Sequence, residues 1–293
     1  MSIEITFLDN REPLTCEADT IKQALERAVK GGVALTYADL RGADLREADL
    51  SKANLSYAAL YYANLSDANL SNADLTGADL SHAKLNKAGF CRANLGCANL
   101  NGADLSYANL RHADLRYADL RHADLRYADL SDADLYCANL RYADLRGADL
   151  READLRRANL ANADLSETTL RYANLNGSNL SCANLEDADL TGANLRNANL
   201  HSANLRYAKI QDKKLWSKRP FLSMGQCGSA DRTTLVFFFE DSSEPFIVCG
   251  CFKGDIVAFE ARIAKEHSGT FHEVEYNAMV NYIKALYKEQ QEK

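Results

Sequence analysis

Leucine recurs at every fifth position from Leu40 to Leu205, with Phe90 in its place once, and alanine or another small residue stands two places before it. The chain reads TYADL, RGADL, READL, SKANL and onward from Thr36 to Ile210, thirty-five units without insertion or deletion. The fourth place of each unit is mostly Asp or Asn, and the first two places vary. An apolar period of five fits neither a helix, at 3.6 residues per turn, nor a strand, at two. The geometry that satisfies it is a solenoid in which each pentapeptide forms one side of a square coil, with Ala and Leu turned inward. One buried leucine per unit is worth roughly 1.5 to 3 kcal/mol, so isolated units are not expected to fold. Stability must come from stacking neighbours along one continuous core.

This A(D/N)LXX pattern resembles the pentapeptide-repeat family, and the resemblance covers 175 of 293 residues. It implies a mainly β fold, a right-handed quadrilateral β-helix with four repeats to a coil. At 20 residues per coil the thirty-five units make about nine coils, a rod on the order of 40 Å long at the 4.8 Å spacing of adjacent strands. Phe90 then stands in the inward stack between Leu70 and Leu110, and Ile210 closes that stack. Thr168 and Ser178 replace the small alanine and are tolerated if their hydroxyls find backbone partners.

The flanks break the pattern and set the domain boundaries. Residues 1–35 are expected to form a cap: IEITF reads as a strand and DTIKQALERAVKGG as a helix. Asp19 or Thr20 is the N-cap candidate, Ile21, Leu25 and Ala28 form the apolar stripe, and Gly31 ends the helix. Such a segment covers the open edge of the first coil. Residues 36–210 form the β-helix and residues 211–220 a basic linker. Residues 221–293 form a C-terminal β-β-α-α domain. Its strands are TLVFFFE and FIVCGCF, joined by DSSEP as a hairpin. One helix places Ile256, Phe259 and Ile263 on a single face, and the next does so with Tyr276, Met279, Ile283 and Leu286.

Charge and cysteine narrow the function classes. The formal net charge of -7 gives no general attraction to nucleic acid or anionic membrane. No apolar run approaches the ~20 residues that cross a bilayer, and the N-terminus lacks a secretory pattern, so a soluble cytoplasmic protein is expected. The eight cysteines, Cys249 and Cys251 among them, show no CxxC spacing and read as reduced thiols.

Sorting outward residues by the 20-residue period tests each for chemistry. His112 and His122 fall on opposite sides of the square. His82 and His122 share a column, but Gly102 separates them by two coils, about 9 to 10 Å, too far for one zinc. Cys97 and Cys137 share a column across two coils, beyond disulfide reach. Neither a metal nor a cofactor is expected. Tyr107 and Tyr127 are adjacent in one column, with Tyr57 and Tyr117 expected on the face beside it. Aromatic ladders of this kind stabilise cross-strand packing or mark an interface. Asp104, Asp124, Asp144 and Asp164 form an acidic ladder, and Asp114, Asp134 and Asp154 form another, expected on the next face. Arg126 and Arg146 stack beside the first, Arg116 and Arg156 beside the second, and Arg121 and Arg141 on another face. Between Thr36 and Ile210 there are 19 Lys and Arg against 23 Asp and Glu, close to a mixed-charge surface.

No nucleophile with a paired base and no glycine-rich phosphate loop is present. His267 and His272 flank SGT without a companion acid or thiol fixed by any motif, so no enzyme is expected. The expected function is non-catalytic recognition of a host macromolecule through the wall or the end domain. The seven aspartates of the ladders, Tyr107 and Tyr127 are the candidate interaction surface. IKQALERAVKGG before the repeats and VCGCFKGDIVAFEARIAKEH after them resemble the ends of pentapeptide-repeat proteins from phages and prophages, which implies an accessory factor. The family includes quinolone-resistance members that imitate duplex DNA toward type II topoisomerase, so a DNA mimic acting on a host topoisomerase, nuclease or defence enzyme is one alternative. A scaffold or spacer is the other. Direct binding of nucleic acid is not expected, and the apolar C-terminal helices suggest a homodimer through residues 221–293.

Overall fold

The computed structural model describes residues 2–210, 213–214, 221–227, 232–237, 245–249, 252–269 and 271–291. From Thr36 onward each pentapeptide makes one short extended side and one turn, and parallel bridges join residues 20 apart, from Asp39 with Ala59 to Asp189 with Lys209. The wall is bonded regularly: the Leu110 N–H donates to the Asp129 carbonyl at 2.7 Å, and the Asp114 N–H to the Ala93 carbonyl at 2.9 Å. Leucines and alanines of the units lie inward, almost all of them shielded from solvent, and Phe90 is fully buried among them. Thr168 and Ser178 are also buried, and their hydroxyls donate to the carbonyls of Leu165 and Leu175 at 2.6 and 2.8 Å. That local bond is what makes a hydroxyl tolerable in an alanine layer.

The turns decide what faces outward. In each, the alanine N–H donates back to the preceding leucine carbonyl, as from Ala113 to Leu110 at 3.0 Å. The residue two places after each leucine, here called the corner, has a positive φ in all thirty-five units, between 55° and 73°. A closed turn with its third residue left-handed is the type II signature, usually filled by Gly or Asn. Here only six corners are glycine.

At the N-terminal end, β1 (Ser2–Ile5) pairs antiparallel with β2 (Leu14–Glu17), and α1 (Ile21–Lys30) follows. LTCE is a strand that the sequence pattern does not announce, because four residues carry too short an alternation. Thr20 is the N-cap, accepting from the Gln23 N–H at 3.2 Å, and Gly31 is the C-cap. Ala24, Leu25 and Ala28 bury their side chains, with Ile21 half-buried beside the core. The segment continues the wall: the Asp39 N–H donates to the Thr6 carbonyl at 2.9 Å, and the Glu26 carboxylate takes the Asp49 N–H at 3.0 Å.

Beyond the coils, β3 (Lys209–Ile210) pairs with β4 (Lys213–Lys214). The C-terminal sheet has four antiparallel strands rather than the two expected: β5 (Phe221–Cys227), β6 (Arg232–Phe237), β7 (Phe246–Cys249) and β8 (Phe252–Asp255), in that order. FIVCGCF is not one strand but two that pair with each other, Cys249 opposite Phe252. Phe237 and Phe246 join the core of the coils, while Val236 and Ile247 face the helices. Asp255 caps α2 (Ile256–Glu266), accepting from the Ala258 N–H at 2.7 Å. Ile256, Phe259 and Ile263 pack against Tyr276, Met279, Val280 and Ile283 of α3 (Phe271–Gln291). The segment DSSE, Cys251 and the side chains of His272 and Leu286 lie outside the described residues.

Candidate recognition surface

Each side of the square presents a ladder residue, Asp or Asn in thirty of the thirty-five units, and all thirty use a side-chain oxygen to accept the backbone N–H two residues on. Short side chains with an oxygen two bonds from Cβ suit this local closure, which is why Asp and Asn recur there. The acidic ladders are therefore parts of the turns before they are a surface.

The second carboxylate oxygen is also engaged where arginine follows leucine. Asp114 with Arg116, Asp119 with Arg121, Asp124 with Arg126, Asp144 with Arg146, Asp149 with Arg151 and Asp154 with Arg156 are bidentate, with contacts of 2.5 to 2.9 Å. Arg126 also lies 3.7 Å from Asp144, and Arg146 3.9 Å from Asp164, so the first ladder is a zipper of alternating charge. Hydrogen bonds from Arg116 and Arg121 hold the Asp114 and Asp119 carboxyls below the usual range despite partial burial. At Asp144, Asp149 and Asp154 burial pulls upward and the arginine bonds outweigh it, with the same result. Asp104 and Asp164 instead accept from Ser106 and Ser166 hydroxyls at 2.6 and 2.7 Å. In the last coils asparagine takes over: Asn194 donates to Asn174 at 3.0 Å, Asn199 to Asn179 at 3.1 Å and Asn204 to Asn184 at 2.9 Å.

Two placements differ from expectation. Asp114, Asp134 and Asp154 lie ten residues from Asp104, Asp124 and Asp144, half of a 20-residue coil, so the second ladder is on the opposite side of the square and not the next. The same half-coil offset puts Tyr57 and Tyr117 on the edge opposite Tyr107 and Tyr127. The ladder Asp104 to Asp164 and the pair Tyr107, Tyr127 do meet on one side and its edge.

The corner residues form the exposed chemistry. Tyr107 and Tyr127 stack with ring centroids 5.1 Å apart and stay 58% and 52% exposed. Tyr37 stacks on Tyr57, Tyr62 on His82 and His122 on Tyr142 at 5.1 to 5.2 Å. Several stacks end on a glycine one coil later. A Cβ at Gly102 would stand 2.6 Å from the His82 ring, and one at Gly147 2.6 Å from Tyr127. This explains the glycine between His82 and His122: it is the floor on which the first imidazole lies. Its signal in the sequence is Tyr or His, then Gly, at a spacing of 20.

Among the described residues, no three His, Cys, Asp or Glu side chains converge as a metal site. His267 packs against the Tyr276 ring, centroids 5.2 Å apart, between the last two helices. No described helix is long and apolar enough to cross a membrane.

The chain belongs to the pentapeptide-repeat family: it matches Pentapeptide repeats in eight copies between residues 31 and 212. Among solved structures it is similar to HetL, a pentapeptide repeat protein involved in heterocyst differentiation regulation in Nostoc sp. strain PCC 7120. The identity is 43% over 62% of this chain and 84% of HetL, with a TM-score of 0.35. A pentapeptide repeat protein of the Arabidopsis thaliana thylakoid lumen is 39% identical over 33% of this chain and 68% of its own, with a TM-score of 0.33. QnrB1, a plasmid-mediated fluoroquinolone resistance protein, is 21% identical over 55% of this chain and 88% of its own, with a TM-score of 0.31. No curated protein matches.

Proposed function

We propose that this is a non-catalytic recognition protein whose β-helix wall binds a macromolecular partner through its corner side chains. The observation that carries this reading is the choice of corner residues. A left-handed residue other than glycine costs roughly 1 to 2 kcal/mol, yet Tyr37, Tyr57, Tyr62, Tyr107, Tyr117, Tyr127, Tyr142 and Tyr172 all stand there, exposed. Large aromatic side chains kept in water at a backbone cost are the composition of an interface centre. The partner is proposed to be a host macromolecule and the protein a phage-type accessory factor, on the resemblance of its leader and C-terminal segments. DNA mimicry is the weaker alternative, because the ladder carboxylates that would replace phosphates are committed to their own turns and arginines. Exposed Val257, Val274 and Tyr282 on the last two helices support pairing of two copies through residues 221–293.

The test removes one coil, Arg111 to Leu130, which keeps the pentapeptide phase. Recognition by the wall predicts a folded, shorter rod that no longer captures its partner from host lysate, with or without nuclease. A folded deletion that captures as well as the intact chain would favour the spacer reading instead.

A further inference from the structure

The four edges of the square are not electrically equivalent. The edge running Glu47, Asp67, Lys87, Tyr107, Tyr127, Gly147, Glu167, Asp187, Tyr207 carries four acids and one base. The edge of Lys52, Arg92, Asp132 and Glu152 is balanced, the edge of Tyr117 holds only Arg157, and the edge of His122 holds no Asp, Glu, Lys or Arg. Ladder and following residues on the sides nearly cancel, four acids against four bases or three against three on two sides and one acid in excess on each of the others. The largest excess of formal negative charge among the four edges therefore lies along this one.

That edge also has an internal order. The stacked, exposed Tyr107 and Tyr127 form its centre. Acid pairs stand beyond them: Asp67 two coils before Tyr107, with Lys87 in the coil between, and Glu167 two coils after Tyr127, with Gly147 between; Glu47 and Asp187 lie one coil further out. Among the described residues Asp67 and Glu167 make no ion pair, while Glu47 lies near enough to Arg46 to help keep that guanidinium charged. The inner acids are about 24 Å apart and the outer ones about 34 Å, at 4.8 Å per coil. An aromatic centre with charged ends is the anatomy of a protein–protein contact, in which buried rings supply affinity and rim charges select and orient the partner.

We infer that this edge docks a basic protein surface, one that lays lysines or arginines against both acidic ends and an apolar or guanidinium group on the tyrosine pair. The inference rests on the recognition reading above and names the partner's chemistry. A cation over a tyrosine face is itself attractive, so an arginine-bearing surface fits centre and ends alike.

The probe is a labelled 16-residue oligo-arginine, followed by fluorescence anisotropy at low salt, with an oligoglutamate of equal length as control. Asp67→Asn with Glu167→Gln is expected to weaken binding about fivefold or more, and Asp132→Asn with Glu152→Gln, equal in charge, less than about twofold. Tyr107→Ala with Tyr127→Ala is expected to weaken it similarly. Equal losses from both charge pairs, or no binding by the intact chain, would overturn the assignment. If a tyrosine variant fails to fold, the charge pairs still decide. Partner capture that is lost only through variants of another edge would sink this edge while leaving wall recognition standing.

Discussion

Ladder and corner positions both point outward, and both recur every five residues, yet they differ in how freely they vary. Ladders are Asp or Asn in thirty of thirty-five units, whereas corners use ten residue types, from Gly and Ser to Tyr and Arg. The ladder side chain closes the turn through a backbone N–H, so the fold dictates it. The corner side chain closes nothing. The difference teaches where to look for function on a repetitive wall: at positions the fold leaves free, even where the residue chosen costs stability.

The core should outrank both classes. Leu120→Ala removes a fully buried side chain from the inward leucine stack and is expected to cost about 2 to 5 kcal/mol, read as a shift in the denaturant midpoint. A loss below about 1 kcal/mol would mean the coils do not share one core. Next comes the ladder. Asp114→Ala leaves the Arg116 N–H without its 3.0 Å acceptor and should cost about 1 kcal/mol, while Asp114→Asn keeps the acceptor and should cost less. Equal effects would show that charge, not turn closure, selects the residue.

Acid sharpens the comparison within the ladders. The folded-state carboxyls of Asp114, Asp119, Asp144, Asp149 and Asp154 lie below the ordinary value of 3.8. Their stabilising contribution is therefore complete above about pH 4 and is lost as pH falls through the lower folded values. Asn174, Asn179, Asn184, Asn194, Asn199 and Asn204 have no such proton to gain. Hydrogen exchange, corrected for its intrinsic pH dependence, should show protection falling in the coils of residues 111–157, which hold five such carboxyls, before those of 171–205, where Asp189 is the one ladder carboxyl held low. Smallest are the corner effects, and their sign is opposite. Lys52→Gly should be neutral or stabilising by up to about 1 kcal/mol, because it relieves a φ of 63°. Gly102→Ala should destabilise by about that amount as the His82 ring is pushed aside.

The period, the inward residues and the N-cap region were legible because five-residue spacing admits one packing solution and helix caps are local. Positions of Asp114 and Tyr57 around the square were misjudged by one side, although the same period of 20 contains the answer. LTCE and the split of FIVCGCF were not legible, since four-residue strands carry little alternation and the sequence between Cys249 and Phe252 holds no Asn-Gly or Asp-Gly signal. At the candidate surface, Tyr107 and Tyr127 were legible from their column. That Asp104, Asp124, Asp144 and Asp164 close their own turns was not, because a carboxylate two residues before an arginine or serine reads the same whether it faces solvent or its own backbone.

The most direct measurement sets a ladder variant against a corner variant in partner capture from host lysate. Asp124→Asn with Asp144→Asn alters the ladder and preserves turn closure; Tyr107→Ala with Tyr127→Ala alters the corner on the same side. Recognition through the corners predicts that the tyrosine variant, still folded, loses the partner and the asparagine variant keeps it. Loss with the asparagines and retention with the alanines would contradict the account and restore the acidic ladder as the recognised surface.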